Sequence, residues 1–264
     1  MEGIIIMKFK KLSKLVVVSG LVIAFGTSSI FAVDGGVKDS NVGVRFVKSD
    51  VPTPPVDPEN PDEIIDPFPE GGGTNGPLSI DFVSDLDFGE QKVSSQDETY
   101  YALPQKTWAA GQDKVNEEPA GPEKPNFVQV TDSRGLETGW ELTVQQNGQL
   151  KTSDDKVLTG AELIFRNANI VTNAESGKPI LGGEADTSSS IAGATKLTIN
   201  TDGSKVSVMK AEDGKGAGTF LTVFGNTSTK DSSIELFVPK GTTKYAGKDY
   251  KTTLTWTLTD TPQI

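Results

Sequence analysis

The triplet Trp-x-Leu occurs twice in this chain, as Trp140-Glu141-Leu142 and as Trp256-Thr257-Leu258, each inside a run where apolar and polar residues alternate. On an extended strand, residues two positions apart project from the same face. The spacing is therefore that of a sheet. Both tryptophans read as core anchors of a β-domain, because large aromatic side chains are mostly buried.

The same period of two runs through most of the chain after Leu78. Ile80, Phe82, Leu86 and Phe88 share one parity against Asp81, Asp85 and Asp87. Val128 and Val130 alternate with Gln129 and Thr131; Trp140, Leu142 and Val144 alternate with Glu141, Thr143 and Gln145. Leu163 with Phe165, and Ile234 with Leu236 and Val238, continue the pattern. Leu197 and Ile199 face Val206 and Val208 across Thr201-Asp202-Gly203-Ser204, which reads as a hairpin closed by an Asp-Gly turn. No stretch carries a convincing helical period; Gln105 to Asn116 is the best candidate and a poor one. The expected fold is all-β, an antiparallel sandwich or barrel-like domain. The two tryptophan strands lie far apart in sequence, so pairing them would close a long-range topology and slow folding.

Ahead of the strands the composition changes twice. Met7-Lys8-Phe9-Lys10-Lys11-Leu12-Ser13-Lys14, the apolar run Leu15 to Phe25 and the small-residue stretch leading to Ala32 make the three parts of a secretory signal peptide over residues 1–32. Ser19-Gly20 interrupts the apolar run well short of the roughly 20 residues a membrane span needs, so no stable membrane insertion is expected. Residues 33–76 read as a disordered acidic linker. Seven prolines between Pro52 and Pro69 alternate with Asp57, Glu59, Asp62, Glu63 and Asp66, a composition that favours extended chain, and Gly71-Gly72-Gly73 adds a flexible joint. Residues 77–264 are the expected β-domain. No Cys follows the signal, and the C-terminus shows neither an LPxTG sequence nor an apolar tail, so non-covalent retention at the cell surface is the expectation.

The chain has no Cys and no His, which removes disulfides, thiolate nucleophiles, Ser-His-Asp arrangements and the commonest zinc ligand. No enzyme activity, cofactor or metal is expected. The carboxylate pairs Asp154-Asp155 and Glu117-Glu118 are adjacent in sequence and read as solvated loop charges. Gly214-Lys215-Gly216-Ala217-Gly218 lacks the spacing of a phosphate loop and reads as the opening of a strand at Thr219. Removing residues 1–32, with four Lys against one Glu, takes the formal charge from −11 to −14. Such a chain repels nucleic acid, which is not an expected partner. Tyr100, Tyr101 and Trp108 are candidates for stacking on a glycan, with Tyr101 as a core residue beside Leu103 the alternative.

Taken together, the export signal, the Pro/Asp-rich spacer, Leu78-Ser79-Ile80-Asp81-Phe82-Val83, Gly139-Trp140-Glu141-Leu142-Thr143-Val144 and the terminal Leu254-Thr255-Trp256-Thr257-Leu258-Thr259-Asp260-Thr261-Pro262 resemble the WxL-domain surface proteins of low-GC Gram-positive bacteria. The resemblance implies a secreted, surface-held β-domain that binds the cell wall non-covalently, with peptidoglycan or another wall polymer as ligand and other exported surface proteins as partners. It carries over Trp140, Leu142, Trp256 and Leu258 as the motif, in a structural or a contacting role. The alternative function is a protein-interaction or adhesion module that joins a surface complex or binds host matrix without touching the wall.

Overall fold

The computed structural model describes residues 37–175 and 177–260. The signal segment over 1–32 and the closing Thr261-Pro262 lie outside them. The chain divides into two units, residues 1–44 and 45–264. The described residues of the first, 37–44, carry no regular secondary structure. Among its described residues the second holds sixteen strands and one short 3-10 turn over Lys230–Ser232.

In chain order the strands begin with β1 (Val56–Asp57), β2 (Asn60–Ile64), β3 (Pro67–Phe68), β4 (Leu78–Val83), β5 (Glu98–Tyr101) and β6 (Lys106–Thr107). Then come β7 (Asn126–Asp132), β8 (Trp140–Gln146), β9 (Glu162–Val171), β10 (Ile180–Leu181), β11 (Glu184–Ala185) and β12 (Thr195–Ile199). The last four are β13 (Val206–Ala211), β14 (Gly218–Phe224), β15 (Ile234–Val238) and β16 (Leu254–Thr259). Every pairing is antiparallel. The fold is all-β, as the alternation implies. Gln105 to Asn116 is not helical; its first residues bridge to Lys124 and form β6.

Two sheets face each other. The large one runs β11-β12-β9-β14-β7-β4, with β15 and β5 continuing from β9; the small one runs β10-β13-β8-β16. Strand β9 pairs with β12 along one edge; its other edge takes β15 at Glu162–Phe165 and β14 at Ala168–Val171. Between those two partners Asn167 takes φ 54°, and Arg166 reaches Glu235 at 2.6 Å and Asp186 at 3.5 Å, pinning the bend. Trp140, Leu142, Val144, Val208 and Met209 of the small sheet pack with Val128, Val130, Phe165, Leu197 and Phe220 of the large one in the main core.

The segment Leu197 to Val208 differs from the expected hairpin. Its Asp-Gly turn forms, with Gly203 at φ 80° and Ser204 N–H donating to Asp202 Oδ1. Yet β12 pairs with β9 and β11, and β13 with β8 and β10, so the turn carries the chain from one sheet to the other. Leu197 and Ile199 on β12 and Val208 on β13 point into the same core from opposite layers.

Residues 51–69 also depart from an extended spacer. The large sheet is apolar on its reverse face, where Phe82, Phe127, Leu221 and Val223 form a second cluster closed by Val56 and Ile65. Gln129 stitches the cover down: its Oε1 accepts from Val56 N–H at 2.8 Å, and its Nε2 donates to Pro54 O at 3.1 Å. Farther along, Phe68 of the β3–β6 ribbon meets Trp108 edge-on, with ring centroids 5.3 Å apart. Proline suits the role, because a short covering ribbon needs few backbone donors. A chain starting at residue 77 is therefore predicted to expose the second cluster. Each large apolar side chain returned to water costs about 1.5–3 kcal/mol, so urea denaturation should show a loss of several kcal/mol against a chain starting at residue 33. Equal midpoints would contradict this role for the segment.

Candidate functional site

The two Trp-x-Leu triplets, over a hundred residues apart in sequence, lie side by side on β8 and β16. Leu258 sits opposite Leu142 and Trp256 opposite Val144. Their environments differ. Trp140 is fully buried, 6.1 Å from the Phe220 ring, and its indole Nε1–H donates to Gly216 O at 2.9 Å. Gly216 stands at φ +85°, and a Cβ there would lie 2.6 Å from Trp140 Nε1 and 2.4 Å from the Ala211 methyl. That is the use of the glycine-rich run ahead of β14. Leu142 is equally buried. Trp256 and Leu258 are only half-buried at the sheet's outer edge, Trp256 stacking on Phe165 at 6.5 Å and 21°. In this fold Trp140 and Leu142 offer no surface to a ligand, whereas Trp256 and Leu258 do.

Tyr100 and Tyr101 lie on β5, which among the described residues pairs only with β15. Tyr100 packs half-buried against the main core, while Tyr101 is 43% exposed. Trp108 is 8% exposed, enclosed by Phe68 on the separate β3–β6 ribbon. The three rings do not form one platform.

Two of the surface clefts bear on the site. The first, about 380 Å³, lies between Pro52–Pro55 and Gly71–Asn75, with Asp81 in its wall. Asp81 is turned inward because β4 carries a bulge between Ile80 and Phe82, which also sends those two apolar side chains to opposite faces of the sheet. Its carboxylate accepts from Ser79 Oγ at 2.6 Å, Thr131 Oγ1 at 2.5 Å and Gln129 Nε2 at 3.0 Å. Burial raises its pKa above the usual carboxylate value, and those hydrogen bonds only partly offset the rise.

The second cleft, about 550 Å³, is lined by Lys151, Thr152, Ser153, Gly247, Lys248, Asp249 and Lys251. An antiparallel bridge between Lys151 and Lys251 brings its two loops together beside the start of β16. Lys156 stands 5.9 Å over the ring of Tyr245, itself 44% exposed, and Tyr245 N–H donates to Tyr250 Oη. Asp154 and Asp155 sit on the rim, within 3.6 Å of Lys248 and 2.7 Å of Lys151 respectively. The Thr152 hydroxyl, and then Lys248, hold the Asp154 carboxyl below its ordinary range. Among the described residues, no group of three or more His, Cys, Asp or Glu is placed to hold a metal ion.

Asp81 gives a signed pH dependence. Between the ordinary carboxylate value near 3.8 and its raised value, the folded chain keeps a proton that the unfolded chain has released. Stability from this group is complete below that window and is lost as pH rises through it. Carboxylates held low, such as Asp154, act in the opposite sense, so the informative quantity is the difference between wild type and Asp81→Asn. Urea denaturation from about pH 4 to about pH 7 should show wild type losing stability relative to the variant as pH rises. A difference that does not change with pH would contradict the assignment.

The family model for WxL, described as a surface cell wall-binding domain, matches residues 34–262. The match takes in the ordered segment around Val56 as well as both tryptophan strands. No curated protein and no solved structure matches the chain. A match over most of the length, with both Trp-x-Leu triplets paired side by side in the small sheet, is decisive: the chain belongs to the WxL family of surface cell wall-binding domains.

Proposed function

We propose that this is a secreted protein whose β-domain holds peptidoglycan non-covalently, and that the lysine-lined cleft beside β16 is where it does so. As a member of a surface cell wall-binding family, the chain acts at the cell surface. The observation that carries the finer reading is the gathering of four ammonium groups at that cleft against three carboxylates, Asp154, Asp155 and Asp249, which pair with Lys248, Lys151 and Lys251. A chain of net charge −11 is repelled by an anionic wall, yet Lys151, Lys248 and Lys251 line one cleft, with Lys156 beside them. Peptide stems of peptidoglycan end in carboxylates, which ammonium groups bind with charge-assisted hydrogen bonds. The exposed Tyr245 ring gives a sugar a face to lie on, and the exposed Ser153 supplies a hydroxyl for its polar rim.

Exposed ammonium groups act over a Debye length of about 10 Å at 0.1 M salt, so binding through them weakens as salt rises. Residues 33–264 mixed with isolated walls are expected to co-sediment best at low ionic strength. The double variant Lys151→Glu, Lys248→Glu is expected to lose most of that binding with an unchanged melting temperature, while Lys106→Glu, on the separate β3–β6 ribbon, should retain it. Sedimentation indifferent both to salt and to the double charge reversal would remove the cleft from the account.

A further inference from the structure

The outer edge of β16 is built to receive another strand. It is the last strand of the small sheet, and among the described residues nothing pairs with its far side. Asn147 N–H donates to Thr253 O at 2.9 Å, which fixes the phase of the ladder. The N–H and C=O of one residue point the same way in an antiparallel strand, and the direction alternates along the chain. Thr253, Thr255, Thr257 and Thr259 therefore bond to β8, and Leu254, Trp256 and Leu258 turn their backbone groups outward. Edge strands are normally protected by a charge, a proline, a bulge or short length. Leu254–Thr259 has six residues, no charge, no proline and an unbroken register with β8.

The sequence of this edge identifies what fits it. Thr253-Leu254-Thr255-Trp256-Thr257-Leu258-Thr259 reads the same in both directions about Trp256. Two such strands related by a two-fold axis through Trp256 pair in one antiparallel register, which satisfies every outward backbone group. Trp256 meets the partner's Trp256, Leu254 meets the partner's Leu258, and Thr255 meets the partner's Thr257. All apolar side chains then share one face and all threonines the other, as cross-strand pairing favours. The half-exposed rings of Trp256 and side chains of Leu258 cover each other.

We propose that the exported chain forms a symmetric homodimer by antiparallel β16–β16 pairing centred on Trp256, joining two four-stranded sheets into one. This pairing does not depend on the wall-binding site, and its salt dependence has the opposite sign. Two strongly acidic copies repel, so added salt strengthens the dimer.

The chain has no cysteine, which permits a register-specific test. Thr255 and the partner's Thr257 form a non-hydrogen-bonded pair, the close kind that a disulfide spans, whereas the partner's Thr255 lies on the diagonal, too far for one. Residues 33–264 carrying Thr255→Cys or Thr257→Cys are prepared separately, then oxidised alone and mixed. The expected result is a covalent dimer in the mixture and little in either variant alone, with wild type sedimenting as a dimer at high micromolar concentration. Thr257→Lys should raise the dissociation constant by about tenfold or more while the chain melts at the same temperature. A monomer throughout the nanomolar to high micromolar range overturns the proposal, as does equal cross-linking in the unmixed variants. A dimer that withstands Thr257→Lys equally overturns it, since another surface must then make it.

Discussion

The hydrogen bond from the Trp140 indole to the Gly216 carbonyl is the contact on which the architecture turns. A tryptophan fully excluded from water brings the largest apolar side chain into the core, together with one polar N–H that cannot be left bare. Gly216 supplies the acceptor, and only a glycine does so there, because its positive φ and the closeness of Ala211 leave no room for a Cβ. Trp140 heads β8, the strand that β13 and β16 flank, so fixing it sets the register of the small sheet against the large one. The second tryptophan has a different task. Trp256 leans on Phe165 from the rim of the core, stabilising less by burial and leaving its strand edge open.

A sheet that is apolar on both faces needs two covers. The small sheet closes one face of the large sheet, and the chain just ahead of β4 closes the other. Gln129 links these layers chemically, since its one amide serves Val56, Pro54 and the buried Asp81 carboxylate. The acidic, proline-rich composition of residues 51–69 is thus compatible with an ordered ribbon. Its apolar residues Val56 and Ile65 face inward, and Lys124 meets Asp57 at 2.6 Å and Glu59 at 3.1 Å.

Much of this was legible in the alternation of side chains. The all-β class, the lack of an α-helix among the described residues and the kinship of the two tryptophan strands follow from period two and from a motif repeated in similar surroundings. Other features depend on partners that periodicity does not name. A turn between two alternating runs looks alike whether it joins neighbours in one sheet or crosses to another, so β12 and β13 read as a hairpin. The bulge in β4 breaks parity within Ile80-Asp81-Phe82 and buries a carboxylate that alternation places on the polar side. The lysine cleft escaped because its members come from residues 151–156 and 247–251, loops joined by the Lys151–Lys251 bridge and the Lys248–Asp154 ion pair rather than by any local pattern. A recurring Lys at 240, 244, 248 and 251 in so acidic a chain was the available signal.

The motif that marks the family is thus divided between the buried core, at Trp140 and Leu142, and the sheet edge, at Trp256 and Leu258, and the wall contact we propose lies outside it. That division rests on Trp140 being held by Gly216. Denaturant unfolding of Gly216→Ala measures the hold directly. Left-handed strain of about 1–2 kcal/mol and overpacking of about 1–3 kcal/mol together predict a loss of roughly 2–5 kcal/mol, accompanied by a changed near-UV signal from the Trp140 indole. A Gly216→Ala chain as stable as wild type, with that signal intact, would contradict the account.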